Sequence, residues 1–442
     1  MFSIKTKIKN AVKRRFSKFY AIRQEFIDTN PIFDTRYLDK KIGDYALSII
    51  SHHISSAVDK NNVAFLASEL YDMGGHSELL KNVAQALPEE YRSRLFLTRK
   101  TYAPAKIAEI KKYSEIGGVD FHWKNEKQLL KQLLEQILKF SPNVLITFIH
   151  MEDSFAAGLL ALLRKYTLTK IIFCNIGSQH SSLGMSFAHL IWEGMPATAF
   201  VTQKYRGFKN TKVLGLCYLT KDNLPAYNRQ EVITARQEIG IPENALCTMT
   251  GCSSYKLFED GKSPYLEMIK NLLEKNEDLW HVLIANFNEV QRKILGKMNM
   301  PNRFILTDFK VNFKLYFRCA DVFIDSIPFS SALTMVDLMS LKVPFAAFKN
   351  KDNLVFTFYE YLPKNYDYLF ENIFDMQAGV EKLLRNDDER KRVANTNFEH
   401  FLENFEGSKV VQKILEADSF DPEIDGEQYK GFKEVKLVPW GK

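Results

Sequence analysis

A chain of 442 residues with 46% hydrophobic and 26% charged residues holds enough apolar material for two or three packed domains, which excludes wholesale disorder. Its five cysteines (Cys174, Cys217, Cys247, Cys252 and Cys319) form no CxxC pair, so a disulfide framework or zinc ribbon is excluded and a reducing compartment is expected. A net charge of +7 comes with no RNA- or DNA-binding motif, so nucleic acid is not an expected partner.

The first 26 residues hold eight Lys or Arg against a single acid, Glu25. Ile4, Ile8, Val12, Phe16, Phe19 and Tyr20 recur among them at helical spacing. This pattern predicts a basic amphipathic helix suited to the anionic face of a bilayer; a helix packed on its own domain is the alternative. No signal peptide is read, and no apolar run reaches the ~18–20 residues of a membrane span. The expected location is cytoplasmic, peripheral to the inner face of the membrane.

Strands and helices alternate from Asn62 onward. Val63 to Ala67 reads as a strand, Tyr71 to Ser77 as a loop, and Glu78 to Leu87 as a helix. Leu95 to Thr98 is a strand, Glu126 to Phe140 a helix, and Asn143 to Ile149 a strand ending at His150. Ser154 to Tyr166 is a helix and Lys170 to Asn175 a strand, with short strands at Thr198 to Thr202 and Lys212 to Leu216. A helix over Arg229 to Ile239 precedes a second α/β set. That set has strands at Leu246 to Thr250, His281 to Asn286, Arg303 to Leu306, Val322 to Ile324 and Phe345 to Phe348. Its helices are Pro264 to Lys275, Val311 to Cys319, one opening near Ser331, and residues 378–404. The expected domains are a basic helical extension (1–61), a first Rossmann-like domain (62–225), a second (226–404), and a tail (405–442) that packs back on the first.

Ligands of such sheets bind beyond the carboxyl ends of strands. In the first domain His76, His150 and His180 fall there, with Asp72, Glu152 and Asp153 near them. A histidine base over an acceptor hydroxyl is one reading. A metal site from the three is not expected, because their spacing matches no zinc motif. Gly74 and Gly75 let backbone approach a ligand closely. In the second domain Ser253, Ser254, Tyr255 and Lys256 follow a strand, and a lysine among amides and hydroxyls suits a diphosphate. Asp325 ends the strand Val322 to Ile324, and Ser330, Ser331 and Thr334 sit at the start of the next helix, where free amides attract anions. Asp337, in the second turn, is placed to accept from a ribose hydroxyl. The plainer reading of Ser330-Ser331 is a helix cap.

With both motifs in hand, the second domain resembles that of GT-B glycosyltransferases: two Rossmann-like domains facing a cleft, donor on the second and acceptor on the first. It is most similar to the O-GlcNAc-transferase-type branch. Tyr255-Lys256 resembles that family's Tyr-Lys element, whose lysine contacts the donor diphosphate. Ala320-Asp-Val-Phe-Ile-Asp-Ser-Ile-Pro-Phe329 with Ser330, Ser331 and Thr334 resembles its Ala-Asp-Val-x-Leu-Asp-x-x-Pro stretch and phosphate-gripping helix start. Gly194-Met-Pro-Ala-Thr198 resembles its Gly-His-Pro-Ala-Thr element, with Met195 in place of the family's histidine or aromatic residue. Ser330 and Ser331 replace family glycines, and Asp337 the more common Glu. Asn175 to Gly184 is similar to a stretch of bacterial surface-polysaccharide glycosyltransferases, in which His180 matches a histidine.

The resemblance implies transfer from a UDP-sugar to a glycan or lipid-linked acceptor in capsule or lipooligosaccharide synthesis, with no cofactor and no bound metal. His76, His150, His180 and Lys256 would be catalytic. Retaining members often carry Glu-x7-Glu; here Phe329 stands eight before Asp337, which points to inversion. Three alternatives stay open: a transferase for Ser/Thr or Asn side chains, though no TPR-like array precedes the catalytic unit; a non-catalytic GT-B-like subunit; and a sugar-nucleotide epimerase.

Overall fold

The computed structural model describes residues 17–29, 34–51, 57–72, 74–117, 125–175, 180–308, 313–352, 354 and 358–432. The described residues divide into two compact units, one of 17–220 with 407–427 and one of 221–406 with 428–432.

The first unit opens with helices α1 (Lys18–Thr29) and α2 (Arg36–Ile49). Strand β1 (Asp59–Ala67), helix α3 (Gly75–Gln85), strand β2 (Arg92–Leu97), helix α4 (Pro104–Ile110) and strand β3 (Glu115–Gly117) follow. Then come helix α5 (Glu126–Phe140), strand β4 (Pro142–Phe148), helix α6 (Ser154–Tyr166) and strand β5 (Lys170–Cys174). Strand β6 (Leu190–Glu193), helix α7 (Pro196–Lys204) and strand β7 (Thr211–Val213) complete the sheet. Its seven strands run in the order β3-β2-β1-β4-β5-β6-β7, and every pair is parallel. Both faces are covered, as parallel sheets require. Ala64 and Leu66 of β1 pack with Phe19, Ile22, Leu38, Leu133 and Leu160, while Val63 and Phe65 face Leu80, Val83, Val410 and Ile414.

The second unit contains helix α8 (Arg229–Glu238), strand β8 (Leu246–Gly251), helix α9 (Pro264–Lys275) and strand β9 (Leu279–Ile284). Helix α10 (Glu289–Lys297), strand β10 (Phe304–Thr307), helix α11 (Phe313–Phe317) and strand β11 (Val322–Ile324) follow. After them come helix α12 (Ala332–Ser340), strands β12 (Phe345–Phe348) and β13 (Leu369–Phe370), and helices α13 (Ile373–Arg385) and α14 (Asp387–Asn404). Its sheet order is β10-β9-β8-β11-β12-β13, again parallel. Helix α15 (Gly407–Leu415) then returns to the first unit, where Val410, Val411 and Ile414 are buried.

Several sequence expectations change. Residues 196–204 are helical, not a strand, because Pro196 supplies a pre-set first turn and Ala197 to Gln203 are buried on every side, which erases the amphipathic period. Strand β6 and helix α10 were not foreseen. The chain passes between units at 220/221, 406/407 and 427/428, where the sequence reading placed boundaries at 225/226 and 404/405 and kept 405–442 as one tail. The described part of the basic N-terminal segment is a layer of the first unit: Phe19, Ile22 and Phe26 of α1 are buried. The amphipathic pattern of residues 1–16 lies outside the described residues. Among the described residues no helix is long and apolar enough to cross a membrane.

Candidate active site

Each sheet reverses strand order once, between β1 and β4 in the first unit and between β8 and β11 in the second. Loops splay apart there and leave a crevice at the strands' carboxyl ends.

At the second unit's reversal β8 ends on Gly251, where a side chain would force a shift: a Cβ would lie 2.5 Å from the Phe317 ring. A short 3-10 turn over Ser254–Leu257 then presents Lys256. Its ammonium donates to the Ser330 carbonyl at 2.8 Å and the Ser331 hydroxyl at 2.9 Å. The Phe329 amide reaches back to the Lys256 carbonyl at 3.3 Å, so the two loops are laced together. Ser331 is the residue before α12, yet its side chain does not cap the helix. The first-turn amides of α12 therefore keep their positive field for a ligand.

Asp325 is the acid of this corner. It accepts from the Ser330 hydroxyl at 2.6 Å and from the Ser326 amide at 2.8 Å. Burial pushes its carboxyl up to about 6, against the Ser330 hydrogen bond and the Lys256 charge. Burial likewise lowers the Lys256 ammonium, with Asp325 among the groups that oppose it. An arriving diphosphate would supply the anionic partner that burial denies this lysine.

The other predicted residues of this corner are placed as follows. Ser253 is exposed, Ser254 opens the 3-10 turn, and the Tyr255 ring is 55% exposed. Thr334 is half-buried in the first turn of α12. Asp337 is buried and pairs with Lys314 of α11 at 3.1 Å, so a ribose hydroxyl would share the carboxylate with that lysine.

At the first unit's reversal His76 and His150 stack, with ring centroids 5.5 Å apart at 29°. His150 meets the Tyr71 hydroxyl at 3.1 Å and Glu69 at 3.6 Å. Burial, and then His150, push the His76 imidazole down to about 3. Below the pair lies a buried carboxylate, Asp153, which accepts from Ser68 and Thr98 hydroxyls at 2.6 Å each and from the Ala156 amide at 3.0 Å, capping α6. Burial opposes its ionisation, but Arg99 and these donors outweigh burial and hold it below its ordinary value. Glu152 is braced by Arg99 and Arg23, each at 3.2 Å. Gly74, at φ +154°, and Gly75 form the turn into α3 in this unit.

His180 does not join that stack among the contacts described; burial and then Arg206 lower it. Near it a buried set closes the carboxyl ends of β5 and β6. Glu193 accepts from Asn175 at 2.7 Å and from Thr202 at 2.6 Å, and Arg206 donates to Thr202 at 3.3 Å. Burial raises Glu193, with Arg206 among the groups opposing it. Met195 is buried and its carbonyl accepts from Thr198 at 2.9 Å, so the Gly194-to-Thr198 motif is the entry to α7. Sequence reasoning missed Glu69, Tyr71, Arg99, Glu193, Arg206 and Lys314. Only Glu193, directly before that motif, carried a local signal. Among the described residues no three His, Cys, Asp or Glu are grouped to hold a metal ion.

Two all-parallel sheets, each reversing strand order once, and the solved structures that resemble the chain give it the two-domain GT-B class of α/β fold found in glycosyltransferases. A glycosyltransferase from Rickettsia africae is 12% identical, with a TM-score of 0.63 over 81% of this chain and 97% of its own. HepE from Anabaena, solved in complex with UDP, is 14% identical with a TM-score of 0.63 over 80% of this chain and 99% of its own. An O-GlcNAc transferase from Thermobaculum terrenum is 13% identical with a TM-score of 0.55 over 93% of this chain and 79% of its own. No protein-family model matches the chain, and neither does any curated protein sequence.

Proposed function

We propose that this chain is a glycosyltransferase that moves a sugar from a UDP-sugar to an acceptor hydroxyl in bacterial surface-glycan synthesis, with inversion and without a bound metal. One observation supports the reading: Lys256 and the uncapped start of α12 meet, through Ser330 and Ser331, at one corner, an arrangement that suits a diphosphate. Developing charge on the leaving diphosphate is offset there by a lysine and aligned amides, which are fixed before the reaction begins. That supply of positive charge is why no divalent ion is invoked. Asp337, with Lys314, is assigned to the ribose. Phe329, standing where the resemblance would put a retaining enzyme's first glutamate, is the residue that favours inversion.

The acceptor is assigned to the first unit, whose strand ends carry His76, His150 and His180. A lipid-linked or membrane-borne acceptor suits the basic N-terminal segment, and so does a place at the inner face of the membrane.

Saturation-transfer NMR with UDP, UMP, uridine and a set of UDP-sugars tests the reading. UDP is expected to bind and UMP to bind more weakly, because the second phosphate meets Lys256. Equal signals from UDP and uridine, or none from any nucleotide, would refute it.

A further inference from the structure

At the amino ends of β5, β6 and β7, the far end of the first unit's sheet from the histidine pair, lies an open cavity of about 400 Å³, a size that suits a small molecule. Lys170 opens β5, His189 directly precedes β6, and Asn210 directly precedes β7. Arg164, from the last turn of α6, and the segment after α15 complete the lining. That segment is fastened to the sheet. Lys170 donates to the Ala417 carbonyl at 2.5 Å and to Asp418 at 2.9 Å, and the Asp421 amide donates to the Thr211 carbonyl at 2.9 Å. All of these residues belong to the first unit.

The lining holds more donors than the protein itself uses. The Ile171 amide donates to His189 Nδ1 at 3.0 Å, so the ring proton sits on Nε2. That Nε2–H has no acceptor among the described residues. Arg164 has no carboxylate partner among them either. Burial, then the charges of Arg164 and Lys170, push the imidazole down to about 4, so it meets a ligand as a neutral donor beside two cations. One carboxylate of the lining opposes them, Asp418, whose side chain is 90% exposed. An exposed ion pair is worth little, so Lys170 can exchange it for an anion in the cavity. The remaining surface is apolar: Leu190 and Ala417 are buried, and the Phe420 ring is 54% exposed.

We propose that this cavity binds a phosphate monoester with an apolar body, the phosphate held by Arg164, Lys170 and His189 Nε2–H and the body laid against Phe420 and Leu190. A phosphate offers three oxygens to three separate donors, and a guanidinium matches two of them at once; a carboxylate has only two to share. The site is separate from the Lys256 corner of the second unit and does not depend on the transferase reading. A ligand here bridges β5, β6 and the segment after α15, so its binding should stabilise the folded chain.

Ring NMR of the histidine-labelled full chain, with His189→Gln for assignment, tests the site. The probes are phenyl phosphate, inorganic phosphate and benzyl alcohol. Phenyl phosphate is expected to shift the His189 signals at lower concentration than inorganic phosphate does, and benzyl alcohol to leave them in place. Arg164 is exposed, and Arg164→Gln should weaken phenyl phosphate at least about 10-fold. Asp418→Asn removes the opposing charge and should tighten it a few-fold, a gain that damage to the fold would not produce. Phe420→Ser should bring phenyl phosphate down to the affinity of inorganic phosphate. Lys256→Met should leave the His189 response unchanged, whatever it does to nucleotide binding. His189 signals that phenyl phosphate does not move, or moves equally well in Arg164→Gln, overturn the site. Weaker binding by Asp418→Asn, or a response lost with Lys256→Met, overturns it as well.

Discussion

The ammonium of Lys256 donates to the Ser331 hydroxyl at 2.9 Å, so the residue that should cap α12 turns its side chain to a lysine instead of to its own amides. Two sources of positive potential, a charge and a helix start, therefore share one corner.

Replacing Lys256 tests that corner directly. Lys256→Met keeps the aliphatic stem and removes the charge. A hydrogen bond to a charged group is worth about 1.5–3 kcal/mol, so UDP affinity should fall roughly 10- to 150-fold by calorimetry. Ser331→Ala, which frees the ammonium from one acceptor, should fall much less. Unchanged UDP binding by Lys256→Met would remove the lysine from the site.

Asp325 predicts a pH dependence. Its folded carboxyl titrates at about 6, above an ordinary value of 3.8. The folded state holds that proton more tightly than the unfolded chain does. The resulting stability is complete below about pH 4 and is lost as pH rises through about 6, an effect of order 2–3 kcal/mol. Asp39 of α2, raised by burial to about 6 against its bonds from Ser186 and Gly184, has the same sign in the first unit. Asp325→Asn should flatten only the second unit's share, followed by calorimetric melts from pH 4.5 to 7.5. An undiminished slope in Asp325→Asn would mean that the carboxyl is not protonated in the fold.

Much of the second unit's corner was readable because its signals are local. Val322 to Ile324 is a short apolar run, Asp325 ends it, and a helix follows Ser331 within seven residues. What the pair Ser330-Ser331 does was not readable: one hydroxyl goes to Asp325 and the other to Lys256, 75 positions away. The first unit's site was harder still. Asp153 accepts from Ser68 and Thr98, which the sheet brings together from the ends of separate strands. Helix α10 did carry a signal that went unread, the reciprocal cap of Asn288 and Gln291.

Gly251 sets the geometry of the Lys256 turn by omission. An added methyl would sit 2.5 Å from the Phe317 ring, which is itself buried against Phe323 with centroids 5.1 Å apart. Overpacking of this kind costs about 1–3 kcal/mol. Gly251→Ala should lower the melting temperature and weaken UDP binding together. Adding Phe317→Leu makes room, so the double variant should recover part of both. Two costs that simply add would show that the ring is not the obstacle.

Separate variants can test the packing of the N-terminal segment and the membrane contact proposed for it. Phe19 is 1% exposed, its ring lies 4.9 Å from Tyr45 and 5.7 Å from Phe155, and a Cβ on Gly158 would meet it at 2.6 Å. Phe19→Ala should therefore cost about 3–5 kcal/mol of stability. Six of the eight basic residues counted over 1–26 precede residue 17. Each Lys or Arg close to an anionic bilayer adds about 1 kcal/mol of attraction. Removing residues 1–16 should abolish sedimentation with phosphatidylserine vesicles, and 0.5 M salt should abolish that of the full chain. Phe19→Ala should melt early yet sediment like wild type below its transition. A chain lacking residues 1–16 that still sediments fully would end the case for an electrostatic membrane contact.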